Sequence, residues 1–199
     1  MIWEWSVWKE DLQKELNDIL ANIEGFEDEY FNLRVEKFFF ISAFIIRKLN
    51  EANKLSDELI SKDFDCTRYR RIKDGSIIDF MNCHHIEKFY DLRNGEKSSL
   101  KLKDICNYFI HSFVFSCSIG DDDRLCGVFV NSDRIKNKFL YYMELNTFIM
   151  LINDVITDDI VSMSYNRISG KLDKRLCYAS PKFAKQTSFI RETFCEIMP

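Results

Sequence analysis

Hydrophobic residues recur at helical spacing along the first quarter of the chain. They fall three or four residues apart, at Trp5, Trp8, Leu12, Leu16 and Ile19. This spacing predicts an amphipathic helix that ends at Gly25. A second helix is predicted over 27–52, and its centre at 38–46 is apolar almost all round. Nine apolar residues also fit a buried strand, but the polar-periodic flanks favour a helix at the centre of a bundle.

Cap and turn residues indicate shorter elements after this helix. Ser56 precedes two acidic residues, a pattern typical of a helix N-terminus. The pair Asp74-Gly75 is a strong signal for a two-residue hairpin. Its predicted strands are 68–72 and 77–78.

Three strand candidates follow at hairpin spacing, at 113–119, 125–130 and 138–145. The first alternates with a period of two, and turn residues separate the three, so they predict an antiparallel meander. A long helix is then predicted from Asn146 to about residue 166. The segment 178–199 is expected to be peripheral.

These elements predict an α+β fold in which a mostly helical bundle around 27–52 packs against a small three-stranded antiparallel meander at about 113–145. The chain has 199 residues. Since domains usually contain ~100–200 residues, a single domain spanning 1–199 is expected.

The composition indicates a large core and a cytoplasmic protein. Aromatic residues make up 15% of the chain, with 18 Phe, and most of these rings must be buried. The formal charge of −4 argues against a general nucleic-acid coat, although a local basic patch stays compatible with it. Seven scattered cysteines predict free thiols in a reducing compartment. No signal peptide is recognised, and the longest apolar run is far shorter than the ~20 residues of a membrane span.

A helix predicted at about 100–112, capped by Ser99, carries the most suggestive side chains. Asn107 and His111 are four residues apart, so they share one helical stripe. Histidine exchanges protons near neutral pH, and Asn107 can hold the ring of His111 in one tautomer. The alternative is a satisfied polar pair at the junction of helix and strand.

Arg47 ends the apolar run of the central helix, where a guanidinium needs a partner. It is expected either to pair with Glu51, one turn on, or to grip a phosphate or carboxylate.

A dense basic cluster is the second candidate site. Its members are Arg68, Tyr69, Arg70, Arg71 and Lys73. Basic residues around a stacking ring suit single-stranded nucleic acid. Charges on an edge strand or a solvated face, which prevent aggregation between sheets, are the alternative. The adjacent Cys83-His84-His85 does not have the spacing of a zinc site, and no metal or cofactor is expected.

Parts of the chain resemble proteins of the bacterial accessory genome, which are carried by phages, integron cassettes and defence-associated loci. The motifs are Asn82-x-His84-x-x-x-Lys88-x-Tyr90-Asp91-Leu92 and Leu102-x-Asp104-x-Cys106-Asn107-x-x-Ile110-His111-Ser112. The resemblance runs from Phe38 into the helix after Leu145, over half of the chain. It implies no established activity.

The helix of His111 is also distantly similar to HEPN domains, which are helical, usually dimeric modules. Many of them are metal-independent ribonucleases that carry an Arg a few residues before a His at the dimer cleft. Here the nearest preceding arginine, Arg93, lies eighteen residues before His111. The resemblance therefore implies that Arg47 supplies the guanidinium from elsewhere in the fold. Together with the Phe-rich composition, it suggests a homodimer.

Two functions follow as hypotheses. The preferred one is a non-enzymatic binding or regulatory module of mobile-element or defence origin, acting on an unknown protein or nucleic-acid partner, because the sequence shows no complete catalytic constellation. The alternative is a HEPN-like ribonuclease in which His111 exchanges the proton, Asn107 orients it and Arg47 stabilises phosphate charge.

Overall fold

The computed structural model describes residues 4–21, 30–72, 76–169 and 171–177. Within these ranges the chain forms a five-stranded antiparallel sheet, a helical layer and a separate two-stranded sheet. The elements in chain order are α1 (Trp5–Ala21), α2 (Phe31–Glu51), α3 (Asp57–Ser61), β1 (Asp63–Arg70), α4 (Ile86–Phe89), β2 (Glu96–Lys101), α5 (Leu102–Ile110), β3 (Ser112–Ile119), β4 (Leu125–Ser132), β5 (Phe139–Glu144), α6 (Leu145–Thr157), β6 (Ile160–Asn166) and β7 (Lys171–Cys177).

Helix α2 lies at the centre of the helical layer, where it packs against α1 and α5. Phe39, on α2, is completely buried. Its ring lies 5.1 Å from that of Phe109 on α5 and 4.5 Å from that of Phe148 on α6, measured between centroids. Such contacts each add ~0.5–1.5 kcal/mol beyond area burial. The central helix predicted here is confirmed, although Ile41 and Phe44 of its apolar run are exposed. None of the helices in the described ranges has the length and apolar character needed to cross a membrane.

The main sheet has the strand order β2-β1-β5-β4-β3. The predicted meander is present as β3, β4 and β5, but β1 and β2 extend it to five strands. The chain is α+β as predicted, but the prediction of a mostly helical bundle with a three-stranded meander is therefore wrong. Both added strands are rich in charged residues and pair across a long sequence separation, as in Arg68↔Glu96. Only the first four residues of β1 alternate between exposed acidic and buried apolar side chains.

The predicted hairpin between 68–72 and 77–78 is also wrong, although residues 68–70 do lie in a strand. Strand β1 pairs with β2 and β5, and residues 76–79 form no strand. The turn residues Asp74 and Gly75 lie outside the described residues.

The segment after residue 76 instead covers the sheet face opposite the helices. It buries Ile78, Phe89 and Tyr90 against that face. The Tyr90 hydroxyl donates to the Lys136 carbonyl oxygen at 2.7 Å and accepts from Asn131 Nδ2 at 2.8 Å. Burial raises the pKa of Tyr90 to about 12. This polar contact fixes the loop onto the sheet.

The C-terminal part departs further from the sequence prediction. Helix α6 ends at Thr157, and Ile160–Asn166 forms a strand that pairs with Lys171–Cys177. The helix predicted to residue 166 is therefore wrong over its last nine residues, 158–166. The predicted cap at Ser56 is confirmed, because its Oγ accepts from Leu59 N at 3.2 Å. The segment 178–199 lies outside the described residues.

Candidate functional site

Helix α5 ends against α2 and places His111 at the surface. The helix spans Leu102–Ile110, with His111 as its C-cap, and Ser99 lies in β2 instead of capping it. The backbone N–H of His111 donates to the Asn107 carbonyl oxygen at 3.0 Å. One face of α5 is buried against α2, while the His111 side chain is exposed.

The structure brings Arg47, Asn107 and His111 together. Arg47 Nη1 donates to Asn107 Oδ1 at 3.4 Å and lies 3.3 Å from His111 Nε2. A guanidinium has donors only, so Nε2 can only accept in this contact, which favours the ring form with its proton on Nδ1. Asn107 Oδ1 accepts from the guanidinium, so the Asn107 side chain contacts Arg47 and not the ring as predicted.

Two further charges complete what we call the Arg47 cluster, formed by Arg47, Lys48, Glu51, Asn107 and His111. Arg47 Nε donates to Glu51 Oε1 at 2.8 Å, and Lys48 Nζ lies 2.9 Å from Glu51 Oε2. These hydrogen bonds, with that of Arg47 first, hold the pKa of Glu51 below its ordinary value of 4.5. Two cations therefore surround one carboxylate, which leaves an excess of positive charge.

The guanidinium of Arg47 is only partly used by these contacts. Its Nε and Nη1 have acceptors, whereas no described residue accepts from Nη2. The side chain is 36% exposed. An anion can therefore reach the guanidinium from solvent while Glu51 and Asn107 hold it in place.

Cys106 lies beneath the cluster and is not available as a nucleophile. It is 3% exposed, and burial raises the pKa of its thiol to about 12 despite the nearby Arg47. A buried thiol of that kind is a poor nucleophile, because the thiolate is the reactive form.

An aromatic ring borders the cluster on α2. Phe44 is 42% exposed, and Lys48 Nζ lies 5.7 Å from the centre of its ring. A cation above an exposed ring offers a surface on which a base can stack.

The predicted basic cluster on β1 has a different arrangement. Arg68 Nη2 and Arg70 Nε donate to the same carboxylate, that of Glu96, at 2.7 Å and 2.5 Å. The Arg68 guanidinium also lies 4.5 Å from the centre of the Phe139 ring. We call Arg68, Arg70, Glu96, Phe139 and Tyr141 the Arg68 cluster. Strand β1 lies between β2 and β5, so the interpretation of these residues as an edge strand is wrong.

The other predicted members of the basic cluster do not share this surface. Arg71 Nη1 donates to the carbonyl oxygens of Ile72 and Phe89, each at 2.9 Å, and so braces the loop. Tyr69 points to the opposite face of the sheet, where it packs 5.9 Å from Phe129. Lys73 lies outside the described residues. The structure therefore does not gather the five predicted residues into one interface.

Glu96 and Lys48, which determine the charge of these two clusters, were not identified from the sequence. Glu96 pairs with both Arg68 and Arg70 from 28 and 26 residues away, and no local motif marks such a pairing. Lys48 sits beside the predicted Arg47 and was detectable only as a second cation one turn from Glu51. Among the described residues, no three His, Cys, Asp or Glu side chains lie together in a way that could hold a metal ion.

Comparisons of the chain with models of protein families, with curated proteins and with solved structures found no match. The geometry of the two clusters is therefore the basis for a functional proposal.

Proposed function

We propose that this chain is a binding module that recognises single-stranded nucleic acid by holding a phosphate group at the Arg47 cluster. A cytoplasmic location and an origin in a mobile element or defence locus belong to the same proposal. The observation that carries it is the partly exposed Arg47 guanidinium, which Glu51 and Asn107 fix while its Nη2 donors face no described acceptor.

The chemistry of the cluster favours a phosphate over a simple carboxylate partner. Arg47 and Lys48 supply two cations, and an Arg fork matches phosphate oxygens in a bidentate way. The ring of Phe44, on the same helix as Arg47 and partly exposed, gives a neighbouring base a surface for stacking. The remaining charge of the chain is negative, so binding is expected to depend on this local site.

Binding of a short labelled single-stranded RNA, measured by fluorescence anisotropy, tests the proposal. Arg47→Ala is expected to weaken binding about 10–100-fold, because a charge-assisted hydrogen bond contributes ~1.5–3 kcal/mol. Arg70→Ala is the matched variant, since it removes the same side chain from the competing cluster. A wild-type protein that does not bind, or equal losses in both variants, would overturn the proposal.

A second candidate function is metal-independent cleavage of RNA, favoured by the exposed His111 beside Arg47. A phosphate that draws Arg47 Nη1 to itself would release His111 Nε2 from its contact at 3.3 Å as a proton acceptor. Nε2 would then take the proton of a ribose 2′-hydroxyl as its oxygen attacks the adjacent phosphorus to form a 2′,3′-cyclic phosphate, and the departing 5′-oxygen would take a proton from water. Arg47 would stabilise the charge on the phosphate.

Incubation of the protein with total RNA in the presence of a chelator separates the two functions. Cleavage that is lost in His111→Ala, while RNA binding is retained, would establish the ribonuclease. Binding without cleavage by the wild-type protein would leave the binding module as the function.

A further inference from the structure

The outer edge of β3 is unusual for the end of a sheet. β3 is a terminal strand, and no described strand pairs with its outer side. Its eight residues, Ser112–Ile119, include no charged residue and no proline. The opposite terminal strand, β2, carries Glu96, Lys97 and Lys101. Natural sheets use such charges to block pairing with other chains, so β2 is protected and β3 is not.

In the regular part of β3, two residues direct their backbone N–H and C=O groups toward the outer side. The N–H of Val114 donates to Asn131 Oδ1 on β4 at 3.3 Å, so the backbone of Val114 faces inward. Backbone direction alternates along a strand, and the β3–β4 register is regular from Val114 to Ser118. Phe115 and Cys117 therefore present their N–H and C=O groups to the outer side.

We propose that two copies of the chain pair through β3, antiparallel, about a two-fold axis at Ser116. In this register Phe115 of each copy lies opposite Cys117 of the other. Each such pair exchanges two backbone hydrogen bonds, and Ser116 faces its own counterpart between them. The contact uses the same patch on both copies and closes with two-fold symmetry, joining the two five-stranded sheets into one.

Charge complementarity along the edge identifies the occupant as a second copy. Beyond Ile119 the chain enters an exposed acidic turn, Asp121 to Asp123, which Arg124 offsets in part. The Arg47 cluster lies at the other end of β3, where His111 precedes Ser112. It has an excess of positive charge. Antiparallel pairing places Ser112 opposite Gly120 of the partner copy, so each acidic turn lies beside the other copy's basic end. The same attraction then occurs twice.

Apolar packing supports the same edge. The Phe115 ring is half-buried and lies 4.8 Å from that of Phe40 on α2, centroid to centroid. In the paired sheet, Phe115 also gains the Cys117 side chain of the other copy as a neighbour on the same face. The dimer does not depend on the proposed function, because none of its contacts requires a bound phosphate.

Disulfide crosslinking tests the register. In a Cys117→Ser, Cys126→Ser background, Ser116→Cys places two thiols across the axis at a non-hydrogen-bonded pair, whose Cα atoms lie ~4.5 Å apart, within the range of a disulfide. Ser118→Cys is the matched control, since two such residues would be four positions apart along the strands, ~14 Å. We expect a covalent dimer with Ser116→Cys on oxidation and none with Ser118→Cys. Equal crosslinking of both would overturn the register.

The mass in solution tests the dimer itself without depending on the thiols. Size-exclusion chromatography with light scattering is expected to give twice the mass of 23.8 kDa for the wild-type protein. Ser116→Lys places two like charges across the axis and is expected to give a monomer with an unchanged circular dichroism spectrum, whereas Ser118→Lys stays dimeric. The proposal would be overturned if the wild-type protein were monomeric, for example because another part of the chain covers β3. It would also be overturned by a dimer that persists in Ser116→Lys.

Discussion

Arg47 and Arg68 each pair with a glutamate, yet the remaining donors of their guanidinium groups lie in different surroundings. Arg68 is held between Glu96 and the ring of Phe139, and its side chain is 30% exposed. Its Nε is buried without an acceptor among the described residues. Arg47 instead shares an exposed rim with His111, and its unused donors face solvent.

This difference shows why the density of basic residues is a poor guide to a binding site. The Arg68 cluster looks more basic in the sequence, but Arg68 and Arg70 share the carboxylate of Glu96, and Arg68 is also fixed by aromatic packing. The Arg47 cluster has fewer cations close together in the sequence, but Arg47 keeps donors for a ligand beside an exposed imidazole and the exposed ring of Phe44. What matters for binding is the set of donors that the fold leaves unused.

The largest expected effect is on stability, and it belongs to the Arg68 cluster. Arg68→Ala removes a cation–π contact, an ion pair and the packing of the side-chain stem. It is expected to lower the free energy of unfolding by ~1–2 kcal/mol. Urea unfolding followed by circular dichroism measures this change.

Arg47→Ala is the control for that experiment. Its ion pair with Glu51 joins exposed groups one helical turn apart, so the urea midpoint is expected to move little. If Arg47→Ala lowered the free energy of unfolding as much as Arg68→Ala, both clusters would be structural. The contrast between them would then disappear.

The next largest change in stability is expected on acidification. Hydrogen bonds from Arg70 and then Arg68 lower the pKa of Glu96 below its ordinary value of 4.5. A depressed carboxyl pKa stabilises the fold above the unfolded-state value, and the contribution is lost as the pH falls through the folded-state value. Glu96→Gln is therefore expected to be less stable than wild type at about pH 6, and the two should converge at about pH 3.

Urea midpoints at the two pH values measure this convergence. Glu51→Gln is the matched variant, since its carboxyl pKa is lowered by Arg47 and Lys48 in the same direction, although the group is more exposed. If the difference in stability between wild type and Glu96→Gln persisted at low pH, the loss of stability would arise from packing instead of charge.

The parts of the fold that the sequence predicted are those with local signals. The apolar run of α2, the Ser56 cap and the alternation of β3 each depend on residues within a few positions of one another. Strands β1 and β2 were missed because their pairing joins distant segments such as Asp63 and Lys101, and their side chains are largely polar. Long-range pairing of polar strands leaves little trace in a local pattern.

The distinction between local and long-range signals also applies to the candidate site. The spacing of Asn107 and His111 could be read from α5 alone, because both residues lie on one helix. The approach of Arg47 joins residues 64 positions apart, and only a resemblance implied it. The pairing of Glu96 with two arginines had no signal of either kind.

A smaller effect concerns the tautomer of His111. The contact with Arg47 Nη1 requires an unprotonated Nε2, so the neutral ring is expected to carry its proton on Nδ1. Nitrogen-15 NMR of the imidazole measures the tautomer directly, and Arg47→Ala is expected to return the ring to a mixture of both. His84, which is exposed, serves as the internal reference. A ring that keeps the same tautomer in Arg47→Ala would show that Arg47 does not set it.

The smallest expected effect comes from Arg70, which shares Glu96 with Arg68. Its side chain is 65% exposed, and Glu96 keeps Arg68 as a partner when Arg70 is removed. Since exposed ion pairs contribute little, Arg70→Ala is expected to change the free energy of unfolding by no more than about 0.5 kcal/mol in urea unfolding. If the loss instead equals that of Arg68→Ala, the two arginines act as one network around Glu96. The double variant would then cost no more than either single change, because removing one arginine would already have broken the shared contact.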